Sequence, residues 1–130
     1  LKNIENCQFQ NAEFNAKSGQ FDVVLALGIL HRVPDPMGFL TSICDRVDTV
    51  VIEYKRYKSN KPVAFFGGGT SKSNKLNEIH FLPSQRCVEM MLDNLGFSIM
   101  QQEATKMFTP LKFPRHIVVA SRRNKIENHG

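Results

Sequence analysis

The sequence predicts an α/β fold whose sheet is mostly parallel and ends in an antiparallel pair of C-terminal strands. The first observation is the unbroken apolar run Val-Val-Leu-Ala-Leu within residues 21–28, which is typical of a strand buried on both faces of a parallel sheet. The second is that a helical pattern over 36–47 and a β-branched run over 49–54 follow it, which together predict a right-handed βαβ unit. We therefore expect strand 21–28 to be central in the sheet.

Both predicted helices have recognisable ends. Asp35 is expected to cap helix 36–47, because its carboxylate can accept a hydrogen bond from a free amide of the first turn, and proline stands at the first helical position. Ser84 is expected to cap helix 84–95 in the same way. Gly96 follows, and glycine readily adopts the left-handed conformation that ends a helix.

Further strands are predicted on either side of this unit. Residues 98–105 and 116–121 predict two strands joined without a helix, which should pair antiparallel at a sheet edge, so that His116 begins an edge strand. Residues 7–14 alternate weakly and predict one more strand. The predicted order is β, β, α, β, long loop, α, β, β. In such sheets ligands bind at the carboxyl ends of the parallel strands.

Residues 55–80 are rich in Asn, Ser, Lys and Gly, and the three glycines at 67–69 are expected to block any regular element. A loop of this length in a compact domain is usually a lid, a binding loop or a disordered segment. Its glycine-rich stretch is not a phosphate-binding loop, because Ser71 stands where the glycine before lysine is required. We interpret 55–80 as a lid or substrate loop within a single domain that spans 1–130.

Composition excludes several classes of protein. With 42% hydrophobic and 22% charged residues, the chain is neither a disordered tail nor a fibre. No apolar run is long enough to cross a bilayer and no signal-peptide pattern is present, so we expect no membrane partner. Cys7, Cys44 and Cys87 have neither disulfide-framework nor metal-ligand spacing, which favours a reducing cytoplasm. Much of the excess positive charge lies in residues 55–75 and in a second cluster at 122–125, and such clusters fit either a nucleic-acid or phosphorylated ligand or a solvated surface.

The order and spacing of several motifs resemble the middle and end of a class I S-adenosylmethionine-dependent methyltransferase. The motifs are Asn11-Ala12-Glu13, Phe21-Asp22-Val23-Val24, Gly28 to Pro36, Phe81 to Ser84, and Leu95-Gly96-Phe97. The resemblance covers about residues 7–122, and the nearest branches are the tRNA wobble-uridine carboxymethyltransferase-like and the general small-molecule methyltransferases. It implies a Rossmann-like sheet and S-adenosyl-L-methionine as the cofactor.

The resemblance also implies site residues. Asn11 and Ala12 would face the adenine, and the backbone of Leu27 and Gly28 would line the cofactor. Glu53 matches an acid at the end of the fifth strand of the family, near the substrate.

Other candidates follow from the residues themselves. His31 is a candidate general base, because its ordinary pKa lies near neutrality and it follows a predicted strand end; the alternative is a structural histidine at the rim that is hydrogen-bonded to the backbone. Arg32, Lys55 and Arg56 share the predicted rim and can hold a carboxylate or phosphate of the substrate. His80 would line the substrate pocket from the lid side.

One departure from the family pattern limits this interpretation. The glycine-rich first loop of the family and the acid that binds the cofactor ribose would lie upstream of residue 1, so we expect a partial domain that lacks its N-terminal part. The parent protein is expected to transfer a methyl group to a small molecule or tRNA, and the isolated chain is expected to be inactive. A non-catalytic methyltransferase-like scaffold and a dehydrogenase fragment are the alternatives.

The absence of upstream strands also bears on association. It should leave one side of strand 21–28 free for a homo-oligomer contact or for the missing portion.

Overall fold

The computed structural model describes residues 6–12, 19–68, 79–105 and 114–123. These residues form six strands and two helices, in an order that begins with a strand–helix–strand unit. In chain order the elements are β1 (Phe21–Leu27), α1 (Pro36–Cys44), β2 (Val47–Lys55), β3 (Ala64–Gly68), β4 (Ile79–Pro83), α2 (Gln85–Asn94), β5 (Phe97–Ala104) and β6 (Arg115–Arg122).

Four strands form one mixed sheet in the order β1-β2-β6-β5. β1 and β2 are parallel, whereas β6 is antiparallel to both β2 and β5. The α/β class and the antiparallel C-terminal pair are therefore confirmed. β3 and β4 form a separate antiparallel pair.

Three strand predictions are wrong. β1 is an edge strand of the described sheet, not a central one, because β2 is its only neighbour among the described strands. β6 lies between β2 and β5, so His116 does not begin an edge strand. Residues 7–12 are exposed and form no strand, and the other two residues of that predicted strand lie outside the described part of the chain.

The core lies on one face of the four-stranded sheet. Residues 50, 52 and 54 of β2 and residues 116, 118 and 120 of β6 are almost wholly buried, and all of them except His116 form one cluster with apolar residues of both helices. The alternating direction of strand side chains sends the odd-numbered residues to the opposite face. In β2 and β6 the odd-numbered residues from 49 onwards are half-buried, and in β1 they are exposed. Within the described residues, this outer face is therefore not covered by a helix.

The helix ends confirm the predicted caps. Asp35 Oδ1 accepts a hydrogen bond from Gly38 N at 2.9 Å, and Ser84 Oγ accepts one from Cys87 N at 3.1 Å. Gly96 has a φ of +83°, the left-handed conformation that follows α2. Helix α1 ends at Cys44, earlier than predicted, because Val47 already belongs to β2. Neither of the two described helices is long and apolar enough to span a membrane.

The prediction that the glycines at 67–69 block a regular element is also wrong. Gly67 and Gly68 belong to β3 and pair with β4, because the backbone, not the side chain, makes ladder hydrogen bonds. Moreover, a Cβ atom at Gly67 would lie 2.9 Å from the ring of Phe65, so glycine fits this strand position without displacing that ring. Residues 69–78 lie outside the described part of the chain.

Candidate functional site

The carboxyl ends of β1 and β2 meet at one rim of the sheet. Gly28 follows β1 with a φ of +69°, and its amide donates a 3.0 Å hydrogen bond to the carbonyl of Glu53. A positive φ favours glycine, which has no Cβ to clash with its own backbone. The turn directs the chain into the loop that contains His31 and Arg32.

Glu53 forms an ion pair with Arg115 at this rim. Arg115 Nη1 lies 2.9 Å from Glu53 Oε1, and the two side chains are only 22% and 15% exposed. A Cβ atom on Gly28 would lie 3.3 Å from the same Nη1, so the guanidinium packs closely against the turn. The sequence analysis missed Arg115. Only the antiparallel pairing of β2 with β6, which sets Lys55 opposite Arg115, brings it to this rim.

His31 is completely buried, and neither ring nitrogen has a hydrogen-bond partner among the described residues. Burial, together with the positive charges of Lys55, Arg115 and Arg32, lowers the pKa of His31 from 6.5 to about 4. The imidazole is therefore neutral at pH 7. The backbone carbonyl of His31 also accepts a 3.1 Å hydrogen bond from Phe81 N, which ties the loop to β4.

Of the predicted substrate residues, three lie near His31 and the fourth, Arg56, faces α2. Burial, then Arg115 and Arg32, lower the pKa of Lys55, so these three cations lie near one another. His80 belongs to the same neighbourhood, since its charge acts on His31. Arg56 instead faces α2, where its Nη1 lies 3.5 Å from Gln85 Oε1. The structure therefore assembles all the predicted catalytic and substrate residues except Arg56 around one rim.

A second polar cluster, on the core side of the same strand ends, was not predicted. The rings of Tyr54 and His116 meet edge to face with centroids 5.8 Å apart. The Tyr54 hydroxyl, both His116 nitrogens and Arg56 Nε are buried without partners among the described residues. Burial raises the pKa of Tyr54 and lowers that of His116. The apolar run around Tyr54 gave no sign of this cluster, because its members come from separate strands.

A cavity of about 600 Å³ lies between β1, α1 and the loop that joins them. Its wall is mostly apolar, with one carboxylate, that of the capping residue Asp35. The described lining residues are Ala12, Val24, Leu25, Ala26, Ile29, Val33, Pro34, Asp35, Phe39 and Ile43. Ala12, one of the predicted cofactor residues, is therefore part of this wall. Two others, Asn11 and Leu27, are exposed, and each is the chain neighbour of a residue that lines the cavity.

Comparison with solved structures identifies the fold. The N-terminal domain of EvdMO1 with bound S-adenosylhomocysteine superposes with a TM-score of 0.60 at 16% identity, over 88% of this chain and 50% of that chain. The 1,6-didemethyltoxoflavin-N1-methyltransferase of Burkholderia thailandensis gives a TM-score of 0.64 at 13% identity, over 82% of this chain and 45% of that one. The chain has the fold of S-adenosylmethionine-dependent methyltransferases.

A further solved structure gives the same result. The magnesium protoporphyrin IX methyltransferase of Synechocystis PCC 6803, with bound S-adenosylmethionine, has a TM-score of 0.60 at 15% identity, over 88% of this chain and 45% of that chain. The chain thus spans about half the length of these three proteins. No protein-family model matches the chain, and no curated protein sequence matches it.

The described part of this methyltransferase fold contains no metal-binding cluster. No group of three or more His, Cys, Asp or Glu side chains there is arranged to hold a metal ion. Cys44 and Cys87 are buried in the two helices and Cys7 is exposed, all three as free thiols. The rim around His31 consists of cations, one carboxylate and a neutral imidazole.

Proposed function

We propose that the chain is part of an enzyme that transfers a methyl group from S-adenosylmethionine, or a close derivative of it, to a small-molecule acceptor. The supporting observation is the methyltransferase fold with a cavity of about 600 Å³ beside the carboxyl end of β1. Ligand pockets are usually roughly 300–1,000 Å³ and mostly apolar with a few polar groups. In α/β sheets such pockets are found at the carboxyl ends of the parallel strands, and this cavity has the same position.

The cavity residues fit the adenosine part of the cofactor. The apolar wall that includes Ala12 and Ala26 suits a flat purine, and Asn11 is close in the chain and can hydrogen-bond the edge of the base. The backbone at Leu27 and Gly28 completes the proposed cofactor site. When bound, S-adenosylmethionine supplies an activated methyl group, and the protein contributes mainly orientation and exclusion of water.

His31 and Glu53 are the proposed catalytic residues. Because the pKa of His31 is about 4, its imidazole is neutral at pH 7 and can accept a hydrogen bond from the acceptor. Its low basicity suits an acceptor whose nucleophilic atom needs little deprotonation. Glu53 holds Arg115 against the turn at Gly28 and thereby fixes the rim.

The acceptor that fits this rim carries a negative charge. Arg32 and Lys55 lie near His31, and the carboxylate of Glu53 is paired with Arg115, so a carboxylate or phosphate of the substrate would relieve the mutual repulsion of Arg32 and Lys55. Arg56 and His80 are proposed to extend the substrate site. The B. thailandensis and Synechocystis enzymes named above likewise are methyltransferases of small molecules by their names.

A tRNA acceptor is the second candidate, and exposed lysines favour it. Lys58 and Lys61 are both exposed in the segment after β2. If the parent enzyme binds tRNA through this segment, affinity must fall steeply with salt. Neutralising Lys55, Lys58 and Lys72 must then reduce the slope of log K against log salt, by roughly one for each lysine that pairs with a phosphate. Binding that ignores salt would exclude RNA.

Ligand binding by the 130-residue chain tests the proposed cofactor site. We expect S-adenosylhomocysteine at millimolar concentration to shift the NMR signals of Ala12, Ala26 and Ile29, but calorimetry to find no micromolar affinity, because the chain spans only about half the length of the methyltransferases it matches. Ala26→Leu, which fills the cavity, should abolish these shifts, whereas Met100→Leu on β5 should not. Shifts that are absent, or that map to β5, would contradict the proposal.

A non-catalytic scaffold remains the competing function, and a methyl-transfer assay distinguishes it. In the parent protein we expect His31→Phe and Glu53→Gln each to lower kcat at least about tenfold, a modest effect for acid–base groups. Lys61→Gln is the control. A parent protein that binds the cofactor but shows no turnover with any anionic acceptor would favour the scaffold. A cytoplasmic location stays a prediction.

A further inference from the structure

A second cavity, of about 310 Å³, lies over the segment that follows β2. Its described lining consists of Arg56, Lys58, Ser59 and Asn60, and we call it the basic cleft. All four side chains can donate hydrogen bonds, two of them carry a positive charge, and none of the four is an acid. The basic cleft shares no described lining residue with the cavity beside β1.

The backbone of the segment is attached at both ends of the basic cleft. At its start, Arg56 N donates a 2.9 Å hydrogen bond to Pro114 O. At its end, Lys61 O accepts a 2.6 Å bond from the buried hydroxyl of Ser84. Because only a few residues lie between these two attachments, the segment loses little conformational entropy when it binds a ligand.

The turn of the segment also positions neutral donors beside the two cations. Ser59 Oγ accepts a 3.1 Å hydrogen bond from Lys61 N, and a hydroxyl that accepts one bond can still donate its own proton to a ligand. Asn60 follows it and is exposed, and its amide group has two protons to donate. The basic cleft therefore offers hydrogen-bond donors of several kinds within one short stretch of chain.

The positive charge of Arg56 has no direct ion pair within the described part of the chain. Its Nη1 lies 3.5 Å from Gln85 Oε1, a neutral acceptor, and its Nε is buried without a partner among the described residues. The acid beyond Gln85 is Glu89, whose Oε1 already accepts 3.1 Å bonds from Gln85 and Gln102. A half-buried guanidinium without its own counter-ion is costly, and an anion in the basic cleft would offset that cost.

A phosphate group matches these donors better than a carboxylate does. It has three strong acceptor oxygens that point in different directions, and an arginine can bind two of them at once while a lysine binds as a point charge. A carboxylate has two oxygens in one plane, which one guanidinium already satisfies. The volume of about 310 Å³ is at the low end of the usual range for ligand pockets, roughly 300–1,000 Å³, and suits a phosphate with the adjoining part of its molecule.

We propose that the basic cleft is a phosphate-binding site, in which Arg56 and Lys58 neutralise the charge and the side chains of residues 59 and 60 donate to the remaining oxygens. The phosphate belongs either to a small phosphorylated molecule or to the backbone of RNA, since both present the same chemical group. Phosphate binding here requires neither the cofactor nor methyl transfer, so it can be measured whether or not the chain belongs to a methyltransferase.

NMR titration of the 130-residue chain with inorganic phosphate, at constant ionic strength, tests the site. We expect saturable shifts of the amide signals of residues 58–60 and of the Arg56 Nε–H signal, with a millimolar dissociation constant. Acetate should bind at least about tenfold more weakly, because it reaches fewer of the donors. Absence of saturable shifts at residues 56–60 would overturn the proposal, as would equal binding of acetate.

Three variants separate a specific site from a general effect of charge. Arg56→Gln should weaken phosphate binding at least about tenfold, and Lys58→Gln, at an exposed position, about threefold. Arg123→Gln is the matched control, since it removes the same charge from an exposed arginine that pairs with Asp93 and does not line the basic cleft. It should leave phosphate binding unchanged, and circular dichroism verifies that all three variants are folded. Equal weakening by Arg123→Gln and Lys58→Gln would mean that binding follows net charge alone and would overturn the site.

Two larger probes identify the source of the phosphate. Glycerol phosphate presents a phosphomonoester, and an oligouridylate without a terminal phosphate presents only phosphodiesters. A site for small molecules binds glycerol phosphate at least as tightly as inorganic phosphate, whereas a site for RNA binds the oligouridylate at least about tenfold more tightly, with an affinity that falls as salt rises. Either result supports the phosphate site. Shifts from both probes that leave residues 56–60 unaffected overturn it.

Discussion

At the scale of single residues, the structure contains polar atoms that burial leaves without described partners. The hydroxyl of Tyr54 is one such atom, whereas the hydroxyl of Thr49 on the same strand has a partner. The Thr49 hydroxyl lies 2.9 Å from the Ser121 hydroxyl, whereas the Tyr54 hydroxyl has no such partner among the described residues. Because a buried unpaired polar atom keeps its desolvation cost, the two hydroxyls should contribute to stability with opposite sign.

We therefore expect Tyr54→Phe to raise the free energy of unfolding by about 1 kcal/mol. Thr49→Val should lower it by about 1 kcal/mol, because it leaves the Ser121 hydroxyl without its partner. Urea unfolding monitored by circular dichroism measures both. A loss of stability in Tyr54→Phe would mean that the hydroxyl is bonded in solution, for example through a buried water molecule.

His31 predicts a pH dependence of stability. Its pKa is about 4 in the folded chain and ordinarily 6.5, so between these values the unfolded chain binds more protons. Stability is therefore complete above pH 6.5 and falls as the pH drops towards 4, by up to about 3 kcal/mol from this residue. His31→Gln should remove most of that loss in urea unfolding at pH 7 and pH 4.5. Leu30→Val should lower stability equally at both pH values, and a His31→Gln slope like that of the unmutated chain would contradict the argument.

At the scale of elements, Ser84 does more than cap α2. Its buried hydroxyl accepts hydrogen bonds from Cys87 N and Val63 N and donates a 2.6 Å bond to Lys61 O. The residue thus attaches the segment before β3 to the start of α2. Asp35, by contrast, is exposed and caps only the first turn of α1.

The two caps should therefore differ in their contribution to stability. Asp35→Ala should cost about 1 kcal/mol, the usual value for loss of an N-cap. Ser84→Ala should cost about 2 kcal/mol, because it also removes the hydrogen bonds of the hydroxyl to Val63 N and Lys61 O, although these two backbone groups keep the 2.9 Å bond between them. Thermal and urea unfolding of both variants measure this difference. Equal costs would mean that the hydrogen bonds to residues 61–63 contribute nothing.

At the scale of the whole molecule, the Glu53–Arg115 ion pair joins residues 62 positions apart in sequence. It fixes the end of β2 to the start of β6, at the rim of the proposed active site. A second ion pair, Asp93–Arg123, has a shorter distance of 2.7 Å but its side chains are 72% and 44% exposed. Partial burial, not distance, should decide which pair contributes more, because water screens exposed charges.

Double-mutant cycles with Glu53→Gln/Arg115→Gln and Asp93→Asn/Arg123→Gln compare the two pairs. We expect a coupling energy of about 1–2 kcal/mol for the partly buried pair and below about 0.5 kcal/mol for the exposed one. Addition of NaCl to about 1 M should reduce the second more than the first. A larger coupling in the exposed pair would contradict this order.

The sequence by itself determined the local features of the molecule. The caps at Asp35 and Ser84 and the βαβ spacing followed from rules that depend on a few neighbouring residues, and the fold class followed from their order. Only the tertiary structure decided the edge position of β1, the burial of His31 and the arrival of Arg115 beside Glu53. These features depend on which strands pair and in which register, and strand pairing joins residues whose separation in sequence leaves no periodic signal.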